Sequence, residues 1–566
     1  MIGSLHGRQA APRLLIKVNG RLLPQAALTG LTWLRVEQRL ALPTQCEMHF
    51  REPPGPLQTA QELALGDRLW IGLEDAAQAL FVGDVTAVEH VYGPDNVRQI
   101  LVRGYDALHR LRKRQQIRVF ENVTLRELAQ RLVGAVGLGV TLAHSTLAWE
   151  RLYQYRQNDL ELLSELAAQD GLYLTLRDAQ VHLITLAGDG APQKLELGRN
   201  LFEVTIEANA DGAAERVVAT GWDPALAQAH QGSAARERSG RRVKTRVAVD
   251  AVGGQGDRYL VNAHAPDQKH VQALAQAALD RRKAGDVTLW GAAQGDPALQ
   301  PGALIQVSGV AADLAGQYVI TQATHTLETG GVSSYQTTLS TAPPELPRRD
   351  EADVTTYGVV SNIADPQGLG RVRATLPAYN DVETNWMAVV TPGAGSRKGF
   401  FMLPDRGDKV LVVLAGGNPG QGIVVGGLYG LLKPPDDGIF PGQAGGAVGL
   451  AAVKRHTWLT PGGQRIQLND VGNVIRLEND SGAYIELSGG NVSIVGNRID
   501  FRRISMARQM LSEIGEAAAG GRDQVTAWQE WLNKQGERNR VLVILSMLLL
   551  FFLLAFIVYL LFSFFV

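Results

Sequence analysis

The segment from Arg465 to Leu487, RIQLNDVGNVIRLENDSGAYIEL, repeats a short apolar pair between turns rich in Asn, Asp and Gly. The two apolar residues of each pair are separated by one residue, so both side chains lie on one face of a short strand. The pattern continues towards the C-terminus and predicts one apolar face formed by Ile466, Leu468, Ile475, Leu477, Ile485, Leu487, Val492, Ile494, Ile499 and Phe501. One such strand cannot bury a core, so the repeat must close against further strands.

The composition indicates an ordinary folded chain of several domains. Its 566 residues suffice for about three to five domains, and 45% of them are hydrophobic while 20% are charged. Since 55 basic residues face 56 acidic ones, charge gives no reason to expect a nucleic-acid partner. Cys46 is the single cysteine, which excludes disulfides within the chain and suggests a reducing compartment. The N-terminus lacks an apolar run of signal-peptide length, so we predict cytoplasmic synthesis without a signal peptide.

The last 26 residues, from Val541 to Val566, contain no charged side chain. A membrane-spanning helix needs about 20 apolar residues, so the segment is predicted to insert into a membrane. A buried core helix is the alternative, although such a helix seldom lacks a polar face over this length. Cations and tryptophans precede the segment as expected for a membrane flank with a cytoplasmic N-terminal side, namely Trp528, Trp531, Lys534, Arg538 and Arg540.

Hydrophobic periodicity divides the chain into mainly β regions with an α/β insertion. The predicted regions are 1–104, a first barrel; 105–199, an α/β insertion; 200–345, a second barrel; 346–355, a linker; 356–430, a small barrel; 431–455, a linker; 456–503, the apolar repeat; 504–540, a helical neck; and 541–566, the hydrophobic segment.

Helix signals place the helices of the middle regions. Thr124 and Glu127 have capping-box spacing, and Asn158 or Asp159 can cap the following helix, which Gly171 can end. Residues 106–115 are also predicted to be helical, as are those around 267–285.

No arrangement of residues typical of catalysis is present. His264 and His270 are six residues apart, which does not suit two metal ligands on one helical turn, and no Cys-rich zinc pattern occurs. The glycine-rich runs at 134–139 and 416–427 lack the order of a phosphate-binding loop, and the basic run at 236–246 has the composition of a solvated loop. We therefore predict no enzyme activity, no metal and no cofactor.

Residues 357–430 carry a dense series of turn and corner residues. The series resembles the oligonucleotide/oligosaccharide-binding (OB) domain of contractile-tail spikes, and its positions here are Gly358, Asp365, Pro366, Gly370, Arg371, Val372, Trp386, Pro392, Ala394, Gly395, Pro404, Gly407, Asp408 and Val410. Glycines at such positions permit turns between short barrel strands, while prolines fix the corners.

Upstream, YQYRQNDLELLSELAAQDGLYLTL at 153–176 is similar to the phage late control D hubs and to the valine-glycine-repeat spikes of type VI secretion. This resemblance covers about residues 10–500 and implies two hub barrels around an α/β insertion, fused to a spike. The tail lysozyme of some spikes has no counterpart here, and the C-terminal helices depart from the usual spike tip.

The resemblance implies a structural protein at the baseplate centre of a contractile injection system. Three chains would wrap the repeat of 466–501 into a triangular β-helical needle with the apolar pairs on the axis; a single-chain solenoid or a sandwich edge is the alternative. The expected partners are two further copies of the chain, the inner tube protein, baseplate components, a tip protein or effector, and a lipid bilayer. A spike whose C-terminal segment is a pore-forming or membrane-disrupting effector is the alternative function.

Overall fold

The computed structural model describes residues 12–52, 63–74, 76, 78–93, 97–144, 147–263, 265–329, 334–346, 352–432, 455–470 and 472–499. The chain forms two compact units, which divide between Leu431 and Leu432. The first unit contains the regions predicted as barrels and insertion, and the second contains the apolar repeat.

The first unit begins with antiparallel strands. They are β1 (Leu14–Val18), β2 (Arg21–Leu22), β3 (Leu31–Arg39), β4 (Gln45–Arg51), β5 (Arg68–Leu73), β6 (Phe81–Tyr92) and β7 (Arg98–Asp106). In β1 the alternation of the sequence is also the alternation of burial, because Leu14, Ile16 and Val18 face the core. Gly83 of β6 allows a close approach of strands, since a Cβ atom there would lie 2.2 Å from the Tyr105 carbonyl oxygen.

The insertion consists of short helices and strands around a leucine-rich core. Its elements are α1 (His109–Arg112), β8 (Arg118–Thr124), α2 (Leu125–Gly134), β9 (Gly139–Leu142), β10 (Ala148–Gln154), α3 (Asp159–Gln169), β11 (Tyr173–Arg177) and β12 (Gln180–Ile184). Strands β8 and β10 form one antiparallel pair, while β11, β12 and β9 form a second small sheet. The fold is therefore α/β in this region, as the periodicity predicted.

Both predicted helix caps are confirmed. The Thr124 hydroxyl accepts a hydrogen bond from the Glu127 amide at 3.2 Å, and the Glu127 carboxylate accepts one from the Thr124 amide at 2.9 Å. Asn158, rather than Asp159, caps α3 through the same reciprocal pair with Glu161. Gly171, with φ +72°, follows the end of α3 in the left-handed conformation that glycine tolerates.

The helix predicted at 106–115 is shorter than expected. Only α1, His109–Arg112, is helical, and tight turns precede and follow it. The chain leaves the helix because the Arg114 carbonyl accepts a hydrogen bond from the Asp159 amide at 2.8 Å, which ties residue 114 to the start of α3. This contact is remote in sequence, so the local periodicity does not reveal it.

The region after the insertion returns to strands. They are β13 (Asp189–Glu196), β14 (Leu201–Ala208), β15 (Arg216–Asp223), β16 (Gln228–Ala234), β17 (Asp257–Ala263), β18 (Val287–Gln294), β19 (Ala303–Ser308), β20 (Gly316–Val319), β21 (Gln322–Glu328) and β22 (Ser334–Ser340), with α4 (Gln268–Asp286) between β17 and β18. Helix α4 packs on the small sheet β16-β15-β17 through a core of its own.

The two regions predicted as separate barrels share one continuous sheet. Its strand order is β14-β18-β22-β21-β3-β4-β7-β6-β5-β1-β2, so β21 and β3 form the seam between the two regions. Seven residue pairs join them, from Gln322 with Arg39 to Glu328 with Trp33. His325 lies fully buried in this seam, where its Nδ1 is 2.9 Å from the Thr337 hydroxyl, and burial lowers the pKa of the imidazole to about 4.

The last part of the first unit is a six-stranded sheet with a small hairpin. Its strands are β23 (Val354–Asn362), β24 (Arg373–Leu376), β25 (Val382–Glu383), β26 (Ala388–Val389), β27 (Ala394–Gly395), β28 (Lys398–Gly399), β29 (Lys409–Leu414) and β30 (Gly422–Gly427). The sheet order is β25-β24-β23-β29-β30-β26, and β27 pairs with β28. An apolar core fills the sheet interior and consists of Val, Ala and Leu side chains together with Tyr379 and Met387.

The second unit contains an antiparallel meander of five strands among its described residues. They are β31 (Arg455–Leu459), β32 (Arg465–Asn469), β33 (Val474–Glu478), β34 (Tyr484–Ser488) and β35 (Asn491–Val495). The register places apolar residues opposite one another, as in Leu468 with Ile475 and Leu477 with Ile485.

The described meander includes one strand before the apolar residues that were predicted to form the needle face. This first strand begins at Arg455, next to the predicted boundary at residue 456, and its His456 and Trp458 lie opposite Leu468 and Ile466 on the apolar face. Ile499 lies outside the described strands, and Phe501 lies outside the described residues.

No helix among the described residues is long and apolar enough to cross a membrane. The predicted segment from Val541 to Val566 and its flank of Trp528, Trp531, Lys534, Arg538 and Arg540 lie outside the described residues.

Candidate assembly surfaces

Among the described residues of a single chain, nothing covers the apolar face of the meander. The exposed fraction of its side chains runs from 36% for Ile466 to 65% for Val492, and the other members are Leu468, Ile475, Leu477, Ile485, Leu487 and Ile494. In β32, β33 and β34 the polar residues between them are less exposed than the apolar ones. This distribution is the reverse of that in a stable soluble sheet, so no layer within the described part of the chain covers this apolar face.

The opposite face of the meander holds its charges within the sheet. Arg476 donates to Glu486 at 2.8 Å and to Glu478 at 3.0 Å, and its guanidinium lies 3.8 Å from the centre of the Tyr484 ring. Hydrogen bonds to Glu478 and Glu486 raise the pKa of Arg476. Because these charges are paired within one chain, this face is suited to solvent, and the apolar face is the one suited to association.

The OB-type positions act as turn and corner residues. Asp365 accepts hydrogen bonds from the backbone amides of Gln367 and Leu369 and a bidentate pair from Arg371, with its shortest contact at 2.7 Å. The Arg371 guanidinium, helped by these amides, holds the pKa of Asp365 well below its usual range. Since both side chains are buried, the pair fixes the loop that contains Pro366.

The remaining OB-type residues serve the same structural purpose. A Cβ atom on Gly358 would lie 3.1 Å from that of Ala374, and Gly370 and Gly407 have φ values of +74° and +94°. The Asp408 carboxylate accepts from the Asp405 amide at 2.8 Å, and the indole of Trp386 lies 4.6 Å from the Arg373 guanidinium. The loop positions Pro392 and Pro404 and the β27 residue Gly395 complete the series.

A joint between the insertion and the OB-type sheet was missed by sequence reasoning. Arg151 of β10, whose side chain is 8% exposed, donates to the Glu383 carboxylate and to the Thr384 carbonyl, both at 3.0 Å. The Tyr155 ring packs against Tyr379 with centroids 5.7 Å apart. The only available signal was the YQYRQND run, whose aromatic and basic residues immediately precede α3.

The predicted absence of a metal site and of catalysis stays a prediction. Among the described residues, no group of three or more His, Cys, Asp or Glu is placed to hold a metal ion. His270 lies at the start of α4, with its Nδ1 2.9 Å from Asp267, while His264 lies outside the described residues. The basic run at 236–246 is partly engaged, since Arg238 donates to Asp280 at 2.8 Å.

Models of two known protein families match two stretches of the first unit. Residues 54–331 match the phage tail baseplate hub family, and residues 356–429 match the injector OB domain of type VI secretion systems and phage baseplates. The second match spans the series of residues from Gly358 to Val410 that suggested an OB domain.

One curated relative is the type VI secretion system spike protein VgrG3 of Vibrio cholerae. It is 24% identical over 362 residues, which are 57% of this chain and 35% of the relative, so the chain spans about a third of the length of that protein.

Two solved structures are similar to the chain at low identity. A chain of the lidless PdpA-VgrG complex aligns with 85% of this chain over 97% of its own length, with a TM-score of 0.50 and 8% identity. A type VI secretion component of Escherichia coli, with reported similarity to bacteriophage T4 tail proteins, covers 73% of this chain and 99% of its own at a TM-score of 0.46 and 15% identity. At 8% identity the likeness to the PdpA-VgrG complex concerns the fold alone.

Proposed function

Because the chain belongs to the hub-spike proteins of phage tails and type VI secretion systems, we propose that it assembles as a homotrimer at the baseplate centre of a contractile injection system. Its hub region would start the inner tube and contact baseplate components. Its meander would form a β-helical needle that leads the thrust through a membrane. Sheath contraction supplies the work, so the spike needs stiffness and no active site.

The uncovered apolar face of residues 466–494 is the observation that carries this proposal. If each of eight side chains loses roughly 60 Å² of exposed surface, each chain buries about 500 Å², which is about 12 kcal/mol as an upper estimate at 25 cal/mol per Å². Association costs about 4–15 kcal/mol, so three chains that close on one axis recover more than they lose. A single-chain solenoid would need a further layer of strands to cover the same face.

Native mass spectrometry of the detergent-solubilised full chain tests the trimer. We expect a mass of three chains that persists on dilution to nanomolar concentration. A monomer at micromolar concentration would refute the needle, while the family assignment of the hub and OB regions would stand.

The C-terminal segment from Val541 to Val566 is proposed to insert the spike into a bilayer. Lys534, Arg538 and Arg540 favour an anchor in the membrane of the producing cell, with the body on the cytoplasmic side. Full-length protein should then resist carbonate extraction from membranes, while a chain ending at Arg540 should be soluble and still trimeric. If full-length protein is soluble before sheath contraction, the segment is instead shielded at the spike tip and enters a membrane only after contraction.

A pore-forming or membrane-disrupting effector is the second candidate function for the same segment. It is favoured by the 26 uncharged residues at the position where a spike tip would be. A pore-forming segment should release dye from vesicles when only the full-length protein is added, without sheath or tube. A simple anchor should release no dye.

A further inference from the structure

A cleft of about 750 Å³ lies where three parts of the first unit meet: the insertion, the region from β13 to β22, and the OB-type sheet. Its walls come from β10, α3, the turn between β15 and β16, β17, the start of α4 and loops of the OB-type sheet. The volume is within the usual range of ligand sites, which often lie between domains.

Three side chains that line the cleft carry a buried polar atom without a hydrogen-bond partner among the described residues. These atoms are His270 Nε2, Arg151 Nε and the Tyr153 hydroxyl. His270 is only 4% exposed, and its Nδ1 lies 2.9 Å from the Asp267 carboxylate. An ionised carboxylate only accepts hydrogen bonds, so the Nδ1–H of His270 donates to Asp267. The cleft therefore offers three buried polar atoms that have no hydrogen-bond partner among the described residues.

Apolar side chains form one rim of the cleft. Tyr259 and Val261, on one face of β17, are 65% and 75% exposed, and Leu226 of the neighbouring turn is 38% exposed. The intervening Leu260 packs against the core under α4. Among the described strands, β17 pairs with β15 on one edge and with none on the other. An apolar, unpaired edge of this kind is a template for an added strand.

The charges of the cleft favour a basic ligand. Its lining includes the carboxylates of Glu150, Glu165, Asp223 and Asp267. The two guanidinium groups of the lining are already paired with carboxylates beyond it, Arg151 with Glu383 at 3.0 Å and Arg371 with Asp365 at 2.7 Å. Asp267 is paired with His270, so the carboxylates of Glu150 and Asp223 are the ones that would attract a Lys or Arg side chain at the rim.

We propose that the cleft binds an extended peptide segment of a partner protein, with apolar side chains at alternate positions and a Lys or Arg beside them. A backbone group of the segment would hydrogen-bond with His270 Nε2, and a backbone carbonyl would accept from Arg151 Nε. Its apolar side chains would cover Tyr259 and Val261, and its cation would face the acidic rim. Needle formation is not required, so this inference is independent of the trimer.

Binding of the detergent-solubilised full chain to an array of synthetic ten-residue peptides tests the proposal. The array alternates Val, Ile or Tyr with Thr or Ser and ends in Lys; matched arrays replace Lys by Glu or the apolar residues by Ser. We expect binding only to the first array. Binding to none of the arrays, or equal binding to all, would overturn the proposal.

Two exposed valines supply matched variants. Val261→Lys places a cation on the rim and should weaken peptide binding at least tenfold, whereas Val252→Lys, 67% exposed and outside the lining, should leave it unchanged. His270→Gln should weaken binding at an unchanged melting temperature. If both lysine variants bind the peptide with equal affinity, the proposal is overturned. It is also overturned if the protein binds a glycan array and the peptide competes for that binding. A changed oligomer mass of Val261→Lys alone would show that the rim is an interface between copies instead.

Discussion

Ile475→Asp is the sharpest perturbation of the proposed needle. Ile475 is 44% exposed in the single chain and lies opposite Leu468 and Leu487 in the centre of the meander. In a trimer the variant places three carboxylates near one axis. At about 6 Å and an effective dielectric constant of about 20, each of the three pairs repels by roughly 3 kcal/mol, and desolvation adds several kcal/mol per ion.

The expected loss therefore exceeds about 10 kcal/mol per trimer at neutral pH, enough to dissociate it. Native mass spectrometry should show monomers at pH 7.5. Burial and mutual repulsion would raise the pKa of the introduced carboxyl groups in a trimer, so protonation should restore trimers as the pH falls towards 4. Ile475→Asn, which carries no charge, should be milder and independent of pH.

Gln467→Asp is the matched control. Gln467 lies on the opposite face and is the register partner of Arg476, so its carboxylate would meet a cation and solvent. We expect a trimer of normal stability. If Ile475→Asp and Gln467→Asp behave alike, the apolar face does not line a common axis and the reasoning fails.

Three further predictions concern the first unit. Asp365→Asn should destabilise the OB-type sheet by about 2 kcal/mol, because hydrogen bonds to a charged partner are lost, and a calorimetric transition that does not move would contradict this. The buried imidazole of His325 has a pKa of about 4, below the usual value of about 6.5, so the unfolded chain takes up this proton first as the pH falls. The free energy of unfolding should therefore decrease by about 3 kcal/mol in total between pH 6.5 and pH 4. Chemical denaturation measured at several pH values should show this decrease, and His325→Gln should reduce it. Arg151→Ala should loosen the joint with Glu383 and speed proteolysis between residues 340 and 360, whereas equal cleavage rates would show that the joint is not needed.

Local signals in the sequence predicted local structure well. Thr124 and Glu127 form the expected capping box, and the alternation of apolar residues located strands in both hub regions and in the meander. These features depend on neighbours within a few residues, so one sequence contains the information needed. The same holds for the turn glycines of the OB-type series, whose φ values follow from local sterics.

Contacts between distant segments were not predictable in the same way. The pairing of β21 with β3 depends on the edges that the intervening folds leave open, and Arg151 meets Glu383 only because two domains dock. Neither contact has a local pattern. The apolar repeat is intermediate between these cases. Its apolar face could be predicted, but the number of chains that cover the face could not, because the same strand pattern is compatible with a single-chain solenoid and with a needle of several chains.

The seam between β3 and β21 also has a consequence for synthesis of the chain. Val36 pairs with His325, so strand β3 emerges from the ribosome about 290 residues before its partner. At about 5–20 residues per second, one edge of the first sheet waits roughly 15–60 s for completion. Leu327, which belongs to the core of the N-terminal strands, arrives equally late. The N-terminal half therefore cannot reach its final stability while translation continues, and its open edge makes this interval the period in which chaperones matter most to the protein.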